Sequence, residues 1–296
     1  MLPPAPLTGK KDADAAKDHR VAKKSPLNEG ATAALNCRLL PIEAAPQACE
    51  ASRVPAQNRP LLEVCVQSPA DCSLAAAGGA DRVELCQAIE LGGLSPSFGT
   101  IAAACKLSPL PVIVLVRPRP GDFVYHPDEI DCVTKDLEQL KALGARGAAF
   151  GALTAEGDID RSALEAWIAA SHGLELVFHR AFDSCRAPLE SLELLVELGV
   201  HRVLSSGGAA TAAEGAEQLA SWTEVTKGRL EILPGGSIRA NNVVELIAKT
   251  GAEGVHFRAP KTQRPESTGL PLGTSDTGLY EATDPDVVRA IRDALS

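Results

Sequence analysis

The chain has 296 residues, of which 45% are hydrophobic, and it carries a net charge of −9 from 38 acidic and 29 basic side chains. This length suits one α/β barrel or two ordinary domains, and the mild acidity gives no general attraction to nucleic acid or to a membrane surface. Eight cysteines without a CxxC pair indicate neither a disulfide framework nor a standard structural zinc site. We therefore expect a reduced, cytoplasmic protein with no nucleic-acid partner and no membrane partner.

Residues 1–60 differ in composition from the rest of the chain. They hold 8 of the 21 prolines and show no sustained hydrophobic periodicity, which predicts a disordered tail or linker. A transit peptide is the competing interpretation, but early acidic residues and scarce serine weigh against it. No apolar run reaches transmembrane length, and the N-terminus lacks the apolar segment of a signal peptide.

The segment 61–87 contains one short pattern twice. The runs 62–66 and 83–87 both alternate aliphatic residues with acids or thiols, as expected of strands with two different faces. Between them, Ser68 and Pro69 suit a helix start and Gly78 and Gly79 suit its end. This strand–helix–strand unit predicts two parallel strands. If the strands are neighbours, inward-facing thiols at matching positions would lie side by side.

The same alternation of strand and helix continues to the C-terminus. Strands are predicted to begin near residues 61, 81, 112, 147, 174, 202, 230 and 254, and further helices over 127–143, 160–171, 188–198, 211–222, 241–249 and 285–295. No signal for an antiparallel hairpin intervenes. Residues 61–296 are therefore predicted to form a (β/α)8 TIM-type barrel. An open doubly wound sheet is the less favoured alternative, because no Gly-rich dinucleotide turn follows the first strand. The long loop 259–283 would border the barrel mouth as a lid or an insertion.

In a barrel, functional side chains lie at the C-terminal ends of strands and in the following loops. Inward carboxylates at Glu63 and Glu84 lose hydration and need partners, and Arg117 and Arg119 are candidates. A structural ion-pair network and a catalytic or ligand-binding role are equally open. The glycine loops after strands six and seven predict anion binding, with simple tight turns as the alternative. Their residues are Ser205, Gly207, Gly208, Gly235 and Gly236.

Three further polar residues are candidates for the same mouth. His179 ends the fifth strand, and Asp183 follows closely enough for a hydrogen bond that would fix the tautomer of the imidazole. His256 lies in the eighth strand.

The remaining candidates are the thiols of Cys65 and Cys86, which on adjacent strands would suit a soft ion such as Cu(I). Inert core cysteines are the alternative, and the other six cysteines show no partner spacing.

Several segments, taken in order along the chain, resemble the CutC family of copper homeostasis proteins. They span the chain from Leu61 onward and read EVCV at 63–66, GGADRVELC at 78–86, GGLSPS at 92–97, RPR at 117–119, GDF at 121–123, FGALT at 150–154, FHRAFD at 178–183, RVLSSGG at 202–208 and PGG at 234–236. The resemblance implies a TIM-type barrel, a homo-oligomer and one Cu(I) per chain bound through Cys65 and Cys86. The chain departs from the family pattern at Pro120, at Ser237 and in the segment 257–260.

The sequence thus leads to two hypotheses. The first is a cytosolic copper homeostasis protein that binds Cu(I) through the two barrel cysteines. The alternative is a barrel enzyme for a small anionic or phosphorylated substrate, in which Arg117 and Arg119 clamp the anion and the glycine loops hold the phosphate. In that enzyme Glu84, His179 or Asp183 would transfer protons.

Overall fold

The computed structural model describes residues 59–264 and 278–296. Eight parallel strands alternate with helices in these residues. The strands are β1 (Leu61–Val66), β2 (Arg82–Leu85), β3 (Val112–Leu115), β4 (Gly147–Phe150), β5 (Glu175–Phe178), β6 (Arg202–Ser205), β7 (Glu231–Pro234) and β8 (Gly254–Arg258). The helices are α1 (Pro69–Ala77), α2 (Phe98–Leu107), α3 (Pro127–Leu140), α4 (Arg161–Ala170), α5 (Pro188–Glu197), α6 (Ala216–Thr226), α7 (Val243–Thr250) and α8 (Pro285–Ala294).

The order of the strands around the sheet establishes the fold class. From β1 to β7 each strand pairs in parallel with the next one in sequence, and β1 also pairs with β8. A parallel bridge between Gly235 and His256 joins the ends of β7 and β8. The sheet therefore closes on itself, so the TIM-type barrel is confirmed and the open doubly wound sheet is wrong. The predicted disordered tail lies outside the described residues, apart from residues 59 and 60.

Two apolar layers follow from the alternation of side chains along the strands. Leu62, Val64 and Val66 of β1 point outward and pack with the helices in a large buried cluster. A smaller cluster fills the barrel interior, and its buried members are Cys86, Ile113, Leu115, Ala149, Val177, Leu204 and Leu233. Because the period of a strand is two residues, Glu63 and Cys65 of β1 face the interior together with the second cluster, as predicted.

Most helices begin at the residues that the sequence indicates. The Ser68 side chain accepts a hydrogen bond from Asp71 N at 3.1 Å, and Pro69 opens α1. The reciprocal bonds between Thr211 and Glu214 form as expected of a capping box, but they close a separate turn, and α6 begins later. Helix α2 is an additional element that the sequence analysis did not identify.

The long loop after β8 contains a hairpin that the sequence did not indicate. After β8, strand β9 (Pro260–Gln263) pairs antiparallel with β10 (Tyr280–Thr283). Thr283 N donates to the buried Asp71 Oδ1 at 2.7 Å, which fixes the end of the hairpin to α1 beside the barrel mouth. Residues 265–277, the centre of the long loop, lie outside the described residues. None of the described helices is long and apolar enough to span a membrane.

Candidate functional site

The two cysteines predicted to be neighbours lie together inside the barrel. Cys65 Sγ and Cys86 Sγ are 3.5 Å apart. Cys86 is fully buried, whereas Cys65 is partly exposed to a cleft that is also lined by Gln67, Ile89, Arg258 and Thr283. The cleft gives solvent and small ions access to one thiol of the pair.

The register of the strands opposes a disulfide between these thiols. Cys65 pairs with Glu84 across the sheet, so Cys86, which directly follows β2, lies two residues further along the chain. With strands about 4.8 Å apart and a rise of about 3.3 Å per residue, the two Cα atoms are about 8 Å apart. A disulfide needs Cα atoms within about 7 Å. Closing the bond would therefore require movement of the backbone, which favours free thiols.

Glu63 is the most strongly held acid of the barrel interior. Its carboxylate forms an ion pair with buried Arg82 and lies 2.8 Å from Nδ1 of His256. Burial by itself would raise the pKa of Glu63, but the Arg82 charge and the His256 hydrogen bond hold this pKa well below its usual range. The partners of Glu63 are thus Arg82 and His256 rather than the expected Arg117 or Arg119.

Glu84 is in a different electrostatic state. Its Oε2 lies 3.8 Å from His256 Nε2. Its Oε1 is buried and has no hydrogen-bond partner among the described residues. Burial, with the nearby Glu63 charge adding to it, raises the pKa of Glu84 to about 7. The pKa of His256 is raised, because Glu84 and Glu63 outweigh the effect of burial.

A thiol, a carboxylate and an imidazole meet at this point. One ligand atom each from Cys65, Glu84 and His256 lies within 4.8 Å of the other two. The pKa of Cys65 is raised by its hydrogen bond with Cys86, by burial and by the Glu84 charge. This group offers donors of the types that bind transition metals.

The two arginines predicted to clamp an anion have different environments. Arg117 is buried, donates to the carbonyl oxygens of Leu91 and Gly121, and stacks 4.9 Å from the ring of Phe123. Arg119 is partly exposed and pairs with Glu129 and Asp122. Of these two arginines, only Arg117 is buried.

His179 is held as a neutral donor at the mouth. Its Nδ1 accepts a hydrogen bond from Ala181 N at 3.2 Å, so the proton of the neutral ring lies on Nε2. Burial and the Arg117 charge lower the pKa of His179 to about 3. The tautomer is therefore fixed by the Ala181 backbone, and the expected hydrogen bond with Asp183 as the acceptor is not among those of His179.

Asp183 instead occupies the loop that was predicted to bind an anion. Its carboxylate accepts hydrogen bonds from Ser205 Oγ at 2.5 Å, from Ser206 N at 3.1 Å and from Gly208 N at 3.1 Å. Arg180 donates to the same carboxylate at 2.8 Å. The loop after β6 does surround an anion, but the anion is a side chain of the protein, and an external ligand would have to displace it.

The glycines after β7 are explained by packing at the end of the strand. Gly235 N donates to Ser205 O at 2.8 Å. A Cβ atom at Gly235 would lie 2.5 Å from Leu204 Cδ1, so any larger residue would displace that side chain. Gly236 has a φ of +118°, a backbone angle that residues with a Cβ atom rarely adopt. Ligand binding by these two glycines remains a prediction.

Sequence reasoning missed Arg82, which supplies the charge opposite Glu63. The signal was available, because Arg82, Glu84 and Cys86 follow the same period of two along β2 and must share its inner face. A second buried arginine, Arg202, pairs with Glu231 at 2.7 Å on neighbouring strands. Buried arginines of this kind stabilise the acids of the interior.

Fold and site together define a TIM-type barrel protein with a cluster of thiol, carboxylate and imidazole groups inside the C-terminal half of its barrel. The family model described as "CutC family" matches residues 60–261. The chain belongs to the CutC family.

Relatives with this name are similar over nearly their whole length. A family protein CutC from Porphyromonas gingivalis (strain ATCC BAA-308 / W83) is 44% identical over 241 residues, which cover 79% of this chain and 97% of the relative. One from Aliivibrio fischeri (strain MJ11) is 39% identical over 243 residues, covering 79% and 98%. A crystal structure from Streptococcus agalactiae, of a protein proposed to be the copper homeostasis protein CutC, superposes with a TM-score of 0.65 at 32% identity and covers 67% of this chain and 98% of that one.

Proposed function

We propose that this chain is a copper homeostasis protein that binds one Cu(I) between Cys65 and Cys86. The observation that carries the proposal is the 3.5 Å separation of the two Sγ atoms inside the barrel. Metal–thiolate bonds of about 2.3 Å allow two sulfurs on one ion to stand up to about 4.6 Å apart. An ion shared by these thiols therefore needs only side-chain adjustment.

The surroundings of the pair support a soft monovalent ion. Cu(I) prefers thiolates and accepts few ligands, and the cleft beside Cys65 provides access from solvent. The charge of Arg258, which lines this cleft, acts to lower the pKa of Cys65, but the hydrogen bond with Cys86 and burial outweigh it. A cytoplasmic location is part of the proposal, since reduced thiols require a reducing compartment. A homo-oligomer remains an expectation from the resemblance alone.

Anaerobic titration of the reduced protein with Cu(I), against a competing chelator, tests the proposal. We expect one tightly bound ion per chain. The double substitution Cys65→Ala plus Cys86→Ala is expected to weaken binding by at least about 100-fold, a loss of about 2.7 kcal/mol, because both ligands are removed.

A matched control removes two thiols elsewhere. Cys132 is exposed and Cys185 is partly buried outside the candidate site, so Cys132→Ala plus Cys185→Ala should leave the affinity unchanged. If both double variants bind Cu(I) as strongly as the natural protein, the copper site does not lie at Cys65 and Cys86.

A second function is favoured by two buried donors at the mouth. Arg117 Nε and His179 Nε2 are both buried without a hydrogen-bond partner among the described residues, and both side chains pack against Phe123. Unpaired buried donors are costly, at about 1–3 kcal/mol each. A ligand with an acceptor oxygen, such as a carboxylate or a phosphate, would satisfy both, as a barrel enzyme for small anions requires.

Thermal unfolding with inorganic phosphate, small carboxylates and sugar phosphates tests this second function. A ligand present at about 100 times its dissociation constant stabilises a protein by about 2.7 kcal/mol, which raises the Tm by roughly 5–10 °C for a domain of this size. The shift should disappear in Arg117→Gln and persist in Arg119→Gln, since Arg119 is engaged with Glu129 and Asp122. If no compound in the panel raises the Tm, the anion hypothesis is contradicted.

A further inference from the structure

The thiol of Cys65 has a second set of neighbours besides Cys86. Its Sγ lies in the three-residue group with Glu84 and His256, whose ligand atoms are all within 4.8 Å of one another. Cys86 is not a member of that group. Cys65 is therefore the common member of a thiol pair on one side and a mixed sulfur, oxygen and nitrogen group on the other.

The orientation of His256 suits a metal ligand. Its Nδ1 lies 2.8 Å from Glu63 Oε1, and Glu63 is in turn held by Arg82. In the neutral ring with the proton on Nδ1, Nε2 presents its lone pair toward Glu84, which lies 3.8 Å away. A carboxylate that holds the second ring nitrogen is the usual support of a metal-bound histidine.

The burial of Glu84 and its unpaired carboxylate oxygen are a second, independent observation that points to a bound ion. Its side chain is 5% exposed, and its Oε1 has no hydrogen bond within residues 59–264 and 278–296. A buried carboxylate oxygen without a partner is costly. A cation at the centre of the group would supply the partner.

We propose that Cys65, Glu84 and His256 form a binding site for a divalent cation of the Zn(II) class, distinct in its ligand set from the Cu(I) pair. One thiolate and one carboxylate neutralise the two charges of the ion, and imidazole is a common third ligand of Zn(II). Three protein ligands leave a fourth position open, as in zinc sites that bind water or substrate. Because Cys65 serves both sites, the two ions exclude each other, a consequence that rests on the proposed copper function.

The test uses the full-length, reduced and metal-free protein with Zn(II), and with Co(II) as a spectroscopic substitute. Thiolate bound to Co(II) gives an intense charge-transfer absorption, which we expect in the natural protein and in Cys86→Ala but not in Cys65→Ala. His256→Gln is expected to weaken Zn(II) binding by at least about 100-fold, since one of three ligands is lost. The same His256→Gln variant should keep its Cu(I) affinity, whereas Cys86→Ala should lose it.

His256→Gln should thus affect only Zn(II) binding and Cys86→Ala only Cu(I) binding. This difference separates the Zn(II) proposal from the Cu(I) proposal, and it also shows whether the variants are folded. A His256→Gln variant that still binds Cu(I) is folded at the barrel mouth, so its loss of Zn(II) is specific. X-ray absorption of the Zn(II) complex of the natural protein needs no variant and should show a single sulfur ligand. Two sulfur ligands, loss of Zn(II) in Cys86→Ala, or no Zn(II) binding by the natural protein would each overturn the divalent site. Absence of Cu(I) binding with Zn(II) binding intact would overturn only the copper function.

Discussion

Substitution of Arg82 by methionine is expected to lower the free energy of unfolding by about 3–5 kcal/mol, the usual cost of breaking a buried ion pair. Arg82 and Glu63 are both almost completely buried, and they face each other across β1 and β2. Without the guanidinium, the Glu63 carboxylate stays inside the barrel and keeps His256, whose Nδ1 lies 2.8 Å away, as a partner. Urea unfolding at neutral pH measures the loss.

A double-mutant cycle shows whether the loss of stability comes from the unpaired charge of Glu63. The double variant Arg82→Met plus Glu63→Gln should recover part of the stability, because it also removes the Glu63 charge that Arg82→Met leaves without its guanidinium partner. The matched control is Arg161→Met, which removes an exposed pair with Glu165 and Glu197 and should cost at most about 1 kcal/mol. An Arg82→Met variant that loses no more stability than Arg161→Met would show that the buried pair is not a major stabilising contact.

Substitution of Asp183 by alanine is expected to cost about 3 kcal/mol, because it leaves several buried donors of the β6 loop without an acceptor. Ser205 and Ser206 are fully buried, and Ser205 Oγ and Ser206 N both donate to this carboxylate. Asp183→Asn should cost less, since Oδ1 is retained as an acceptor. Thermal and urea unfolding of the two variants measure which of them loses more stability.

Rescue by an external anion distinguishes this explanation from a general loss of packing. If the loop is built around a negative charge, formate or acetate should raise the Tm of Asp183→Ala by more than it raises that of the natural protein, because only the variant lacks the carboxylate at this position. Asp122→Ala is the control, since Asp122 is largely exposed and its removal should change stability by less than about 1 kcal/mol. An Asp183→Ala variant as stable as the natural protein would contradict the role of the carboxylate in holding the loop.

Much of the candidate site was predictable because strands impose a strict period. The alternation in β1 and β2 placed Glu63, Cys65, Glu84 and Cys86 on one face, and the structure brings the two thiols within 3.5 Å. The same period would have added Arg82 to this face. Arg119 was expected beside Arg117, but a loop after a strand has no fixed period, and this side chain turns to Glu129 instead.

The sequence by itself determined the number of barrel strands, the parallel barrel and the inward thiols, since these depend on local periodicity and on helix-stop signals. Only the tertiary structure decided which groups meet across distant parts of the chain. It places His256 of β8 against Glu63 of β1, 193 residues earlier, and Asp183 inside the glycine loop after β6. The physical reason is that barrel closure and the choice of hydrogen-bond partner depend on the relative positions of several strands, which no single segment encodes.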